Sequence, residues 1–206
     1  MSTRTLAVVT AGLSVPSSTR MLADRLAAAT VAALRARGED ATVEVVELRE
    51  HARDLADDLV TGFAPRSLQA AVDTVAGADA VVAVTPVFSA SYSGLFKTFF
   101  DVLDKDALAG KPVLMAATAG TPRHSLALEH AMRPLFAYLR AVTVPTAVFA
   151  AAEDWASGGA EPALADRVDR AAGELADLVA ARPVASGPAD PFADPETSFE
   201  DLLRRG

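Results

Sequence analysis

A chain of 206 residues, 51% hydrophobic and 22% charged, suits one domain burying about 70% of its unfolded surface, and is too apolar for disorder. Its formal charge of −8 disfavours nucleic acid as a partner, because phosphate binding needs a positive patch. With no cysteine, disulfides, thiolate metal sites and cysteine nucleophiles are excluded, and no apolar run reaches the roughly 18 residues of a membrane span.

The N-terminal "MSTRTLAVVTAG" has too short an apolar stretch for a signal peptide, so a cytoplasmic location is expected. Residues 5–12 read as a buried strand ending at Gly12, and residues 18–37 as a helix. A second strand is expected at 43–48, followed by a polar, ambiguous stretch at 49–65 holding a short helix and a loop. A helix over 66–79 leads into the third strand, "AVVAVTP" at 80–86, and another helix at 93–104. The pattern continues with a strand at 112–118, a helix at 125–140, a strand at 144–151 and a helix at 160–181. Runs of Val, Ala and Leu without alternation mark strands covered on both faces. The expected architecture is therefore a doubly wound five-stranded parallel sheet in three α/β/α layers, with strand order 2-1-3-4-5.

The core domain is expected to span 1–182. Beyond it, residues 183–206 carry Pro183, Pro188, Pro191 and Pro195, the composition of an extended tail. Ser198, Phe199, Leu202 and Leu203 suggest a short amphipathic end, either a frayed terminus or an arm that docks on another subunit.

In an open parallel sheet, ligands sit beyond the C-terminal strand ends, where the strand order reverses. Three loops must meet there, and all are rich in glycine and hydroxyl side chains. The first, "AGLSVPSSTR", places Ser14, Ser17, Ser18 and Thr19 just before a helix, where hydroxyls and free N–H groups bind a phosphate. One hydroxyl would suffice for an N-cap. The loop is neither a G-x-x-x-x-G-K-[ST] loop nor a G-x-G-x-x-G turn, so a terminal phosphomonoester suits it better than a pyrophosphate. The second loop, "TPVFSASYSG", leaves the third strand at Pro86 and Val87. It offers Phe88 or Tyr92 beside a planar ring, with Gly94 for close approach. The third, "TAGTPRHS", carries Gly120, whose N–H groups can donate to a heteroaromatic edge, and two loop cations, Arg123 and His124. His51 reads as a surface residue, and the surroundings of His130 are open between core, solvent and subunit contact. No spacing of His, Asp or Glu suggests a metal, and the absence of a G-x-S-x-G elbow argues against a hydrolase.

Taken together, "PSSTRML", "TPVFSASYSGLFKTFFDVL" and "ATAGTPRHSLALEHAMRPLF" resemble the NAD(P)H-dependent FMN reductases of flavodoxin-like fold. The similarity is greatest to the sulfonate-assimilation branch, which supplies reduced flavin to two-component monooxygenases, and it covers residues 5 to about 152. The resemblance implies that Ser14, Ser17 and Thr19, with Ser18 and Arg20 beside them, hold the FMN phosphate. Pro86, Val87, Phe88 and Ser89, with Tyr92, would line the isoalloxazine; Thr118, Ala119 and Gly120 would approach its pyrimidine and N5 side. It further implies hydride transfer from C4 of NAD(P)H to flavin N5 with no side-chain acid or base. A homodimer or homotetramer, and a helix irregularity near His130 and Pro134 at the subunit interface, also follow from it. One departure stands out: where the family often has arginine in the serine cluster, this chain has Ser18, and Arg20 comes later. The alternatives are a quinone or azo reductase that keeps its flavin, a non-catalytic FMN-binding electron carrier, and a relative that has lost the cofactor.

Overall fold

The Val- and Ala-rich runs become the strands of one sheet in a computed structural model that describes residues 3–155 and 162–183. Strand β1 (Thr3–Thr10) runs parallel to the edge strand β2 (Asp40–Glu47) on one side and to the central β3 (Ala80–Phe88) on the other. Strand β3 in turn pairs in parallel with β5 (Pro112–Ala119). Successive residues of β1 serve different cores: Ala7 and Val9 face one layer, Leu6 and Val8 the other. That two-sided burial, shared by β3 and β5, is why those strands read as continuous apolar runs rather than alternating ones, whereas the edge strand β2 is largely exposed.

The expected strand order holds, with two differences. The fifth strand expected at 144–151 forms only as β7 (Val148–Ala151), and a two-residue β6 (Val142–Thr143) precedes it, both parallel to β5. Pro145 lies in the gap, and without an N–H it cannot donate to the ladder. A short β4 (Ser91–Tyr92) also folds back antiparallel on the end of β3.

On one face, α1 (Ser18–Arg35) and α6 (Pro162–Ala180) cover the sheet. The other face carries α2 (Ala52–Thr61), α3 (Arg66–Gly77), α4 (Gly94–Val102) and α5 (Arg133–Tyr138). The ambiguous stretch after β2 resolves into a 3-10 turn (Leu48–His51) followed by α2. The single helix expected at 125–140 does not form. In its place stand a 3-10 turn (Pro122–His124), a π-helical segment (Leu128–Met132) and then α5. Pro134 has no N–H for the carbonyl one turn earlier, so the widened turn ends beside it. The expected irregularity at His130 is this π segment. The proposed tail beyond Pro183 lies outside the described residues, and no described helix is long and apolar enough to cross a membrane.

At the end of the sheet away from the loops named above, Lys111 is buried, and its Nζ donates to the carbonyls of Ala76 and Ala78 at 2.7 and 2.6 Å. Burial pulls its pKa down from 10.5 to about 8. Between those values the unfolded chain holds a proton that the folded chain has lost, so this residue's contribution to stability rises with pH. The urea midpoint of wild type should therefore gain on that of Lys111→Met as pH is raised from about 7.5 to 9.5. Parallel pH profiles would contradict the assignment.

Candidate functional site

The site is built on the ends of β1, β3, β5 and β7. Past β1, Ala11 N–H donates to the Val84 carbonyl at 3.0 Å, which carries the chain one residue beyond the ladder before it turns at Gly12. A Cβ on Gly12 would lie 2.1 Å from Ser17 Oγ and 3.1 Å from the Cβ atoms of Ser17 and Thr19, so only glycine fits. Ser17 is the N-cap of α1, in an extended conformation, with its Oγ accepting from Arg20 N–H at 3.3 Å. The first-turn N–H groups of Ser18 and Thr19 have no carbonyl one turn back to bond. Two open N–H groups, the positive end of an 18-residue helix and the hydroxyls of Ser14 and Ser18 make an anion cradle. At its base, the Thr19 and Thr118 hydroxyls share a 2.8 Å hydrogen bond that ties the first loop to the third. Beneath them, at the end of β1, Thr10 Oγ1 is buried with no partner among the described residues.

The second loop is a hairpin. Val87 faces Tyr92 and Phe88 faces Ser91, which leaves Ser89 and Ala90 as a two-residue turn with φ of 49° and 67°. Positive φ at both positions is the type I′ geometry that favours Asn-Gly. A side chain in this region costs about 1–2 kcal/mol, so Ala90→Gly should stabilise the protein by about 1 kcal/mol after the extra freedom of the unfolded chain is counted. Urea denaturation would register this, and a destabilised variant would contradict it. The hairpin holds Phe88 over the cavity, 47% exposed. Gly94 is the first residue of α4 and does not line the cavity.

The loops enclose a cavity of about 630 Å³. Ser14, Ser17, Ser18 and Thr19 line it from the first loop, Pro86, Val87 and Phe88 from the second, and Thr118, Ala119 and Gly120 from the third. Three expected residues lie elsewhere. Arg20 turns outward to Asp24, at 2.8 Å, and to Glu47 on β2, so carboxylates occupy the guanidinium. Tyr92 packs on Phe96, with ring centroids 5.8 Å apart, and lines a separate groove with His130 and Tyr138. Ser89 sits at the hairpin tip, outside the lining. Arg123 and His124 are exposed on their 3-10 turn and also lie outside it.

Four lining residues were missed by sequence reasoning: Leu13, Met21, Ala152 and Trp155. Trp155, the chain's one tryptophan, ends the 3-10 turn after β7, and the Arg25 guanidinium lies 4.8 Å from its ring centroid. A lone tryptophan just past the last strand of a parallel sheet was the available signal. None of the lining residues has an ionisable side chain. Such a cavity can bind an anion at one end and a flat ring at the other, but any electron or hydride transfer must come from what is bound.

The comparisons agree on one relationship. The family described as NADPH-dependent FMN reductase matches residues 4–156. The chain is 44% identical over 111 residues to an FMN reductase (NADPH) of Pseudomonas aeruginosa, a match covering 54% of this chain and 60% of that one. It is 37% identical over 164 residues to the NADH-dependent FMN reductase SfnF of Pseudomonas putida, covering 79% and 86%. A crystal structure of an oxidoreductase from Corynebacterium diphtheriae superposes with a TM-score of 0.84 at 52% identity, covering 88% of this chain and 99% of that one.

Proposed function

Because the chain belongs to the NADPH-dependent FMN reductase family, we propose that it reduces FMN with a nicotinamide nucleotide in the cavity between its three loops. The observation that carries this reading is the pairing of an anion cradle at Ser14, Ser17, Ser18 and Thr19 with a ring slot at Phe88 and Gly120, in a cavity with no ionisable lining. FMN matches that division, with a phosphomonoester at one end and a flat ring at the other, and about 630 Å³ is within the range of small-molecule sites. FMN, when bound, supplies the acceptor atom for a hydride from the nicotinamide.

The protein's part is binding and orientation. The α1 N-terminus and its hydroxyls neutralise and anchor the phosphate. The Thr19–Thr118 bond fixes the distance between the phosphate end and the ring end. Phe88 borders the ring from the hairpin, and open space above Gly120 leaves room for the pyrimidine edge. The exposure of Phe88 leaves one side of the slot accessible to a second planar ring.

In this reading the reduced flavin is released to a separate flavin-dependent monooxygenase, an assignment supported by the similarity to SfnF. The protein works in the cytosol, where nicotinamide nucleotides are found, as a homodimer or homotetramer. The groove between α4 and the π segment, with Tyr138 fully presented at its rim, is the surface that supports self-association. Steady-state oxidation of NADH and NADPH with and without added FMN tests the proposal. Turnover should depend on added FMN and saturate with it; quinone reduction by a permanently held flavin would contradict flavin release.

A further inference from the structure

Beside the flavin cavity, a second hollow of about 370 Å³ opens between the same two chain segments. The segment after β5 gives Gly120 to the first cavity and Pro122 and Ser125 to the second. The segment after β7 gives Ala152 and Trp155 to the first, and Glu153 and Asp154 to the second. The two hollows are therefore neighbours, separated by a single turn of each loop.

The second hollow has an apolar floor of Phe149, Leu128 and Ala147, and most of its charges are already matched. Glu129 accepts from Arg133 Nε and Nη2 at 2.5 and 2.8 Å. Asp154 accepts from Ala151 N–H at 2.7 Å and from Arg167 at 3.4 Å, and Arg167 also donates to the Phe149 carbonyl at 3.3 Å. One group is left over: Glu153 is an exposed carboxylate at the rim, with no ion pair or hydrogen bond among the described residues.

We infer that this hollow receives the adenosine end of the nicotinamide nucleotide, with Glu153 accepting from the ribose 2′-hydroxyl, so that the chain prefers NADH to NADPH. The inference rests on the reductase reading above and deepens it. A flat purine suits the apolar floor of Phe149, Leu128 and Ala147. A carboxylate suits a ribose diol and repels a 2′-phosphate at the same position, the charge logic of other dinucleotide sites. Arg123 and His124 would favour the phosphate instead; they follow Pro122 on the same turn but do not line the hollow.

Calorimetric titration of the full chain, in the presence of FMN, with ADP-ribose and with 2′-phospho-ADP-ribose separates these outcomes. ADP-ribose should bind at least about tenfold more tightly, as like-charge opposition predicts. Glu153→Gln should bring the two ligands within about threefold of each other. Equal or tighter binding of the phosphorylated ligand, a ratio unmoved by Glu153→Gln, or no binding of either ligand would overturn the inference. NADH and NADPH oxidation with FMN on the same preparation reports on the reductase reading by itself. Turnover with equal efficiency for both would leave that reading standing and remove this one.

Discussion

Gly12→Ala is expected to weaken FMN binding by about 10- to 100-fold, while the protein still folds. The added Cβ would sit 2.1 Å from Ser17 Oγ, far inside contact distance, and rotating the hydroxyl alone does not relieve it. Ser17 Cβ and Thr19 Cβ are both 3.1 Å away, so the loop itself must shift. Ser17 then leaves its position as N-cap, a loss of about 1 kcal/mol to the fold. The cradle loses a hydroxyl and the alignment of its N–H groups, and hydrogen bonds to a charged group are worth about 1.5–3 kcal/mol. At 1.4 kcal/mol per tenfold, that range gives the stated loss of affinity. Ser17→Ala is the control, because it removes the hydroxyl without crowding the loop. It should cost the cap's share of stability and less of the FMN affinity than Gly12→Ala. Flavin fluorescence quenching measures both variants, and unchanged FMN affinity in Gly12→Ala would mean that this loop does not hold the phosphate.

Phe96→Ala should produce the largest loss of stability, about 3–5 kcal/mol. Phe96 is fully buried at the centre of an aromatic cluster, with ring centroids 4.7 Å from Phe100, 5.8 Å from Tyr92 and 6.3 Å from Phe136. These rings join α4 to α5 and to the hairpin strand β4, so truncation leaves a cavity that neither helix can close by a small movement. With native stabilities of about 5–15 kcal/mol, the urea midpoint should fall by about a fifth or more at unchanged slope. Phe63→Ala, on a side chain 81% exposed, should leave the midpoint unchanged. A fall below about 1 kcal/mol for Phe96→Ala would contradict the packing described.

Much of this architecture was legible because β1, β3 and β5 are buried on both faces, so composition alone marked them. The order around β1, β3 and β5 followed from parallel crossovers, and the three loops at their C-terminal ends followed from that order. What escaped had no local signature. The Ser89-Ala90 turn lacks the Asn-Gly pair that announces a type I′ hairpin, so β4 was not expected. Arg20 read as a phosphate ligand because it follows the serine cluster. It is captured by Glu47, a residue of β2 that lies opposite the end of β1 and comes close only through the sheet register. Tyr92 read as a flavin contact because it stands near Phe88, but the hairpin turns it to the opposite side, onto Phe96. Trp155 comes from a segment over 130 residues after the first loop, and only the fold brings it to the cavity.

The central claim is that the three loops bind FMN and present it to a nicotinamide nucleotide. Titrating the chain with FMN while following flavin fluorescence, then adding NADH without oxygen and watching the flavin absorbance, tests it most directly. Saturable quenching at one FMN per chain, followed by loss of the oxidised-flavin absorbance, is the predicted result. No quenching with FMN in excess, or bound flavin that neither NADH nor NADPH reduces, would contradict the claim.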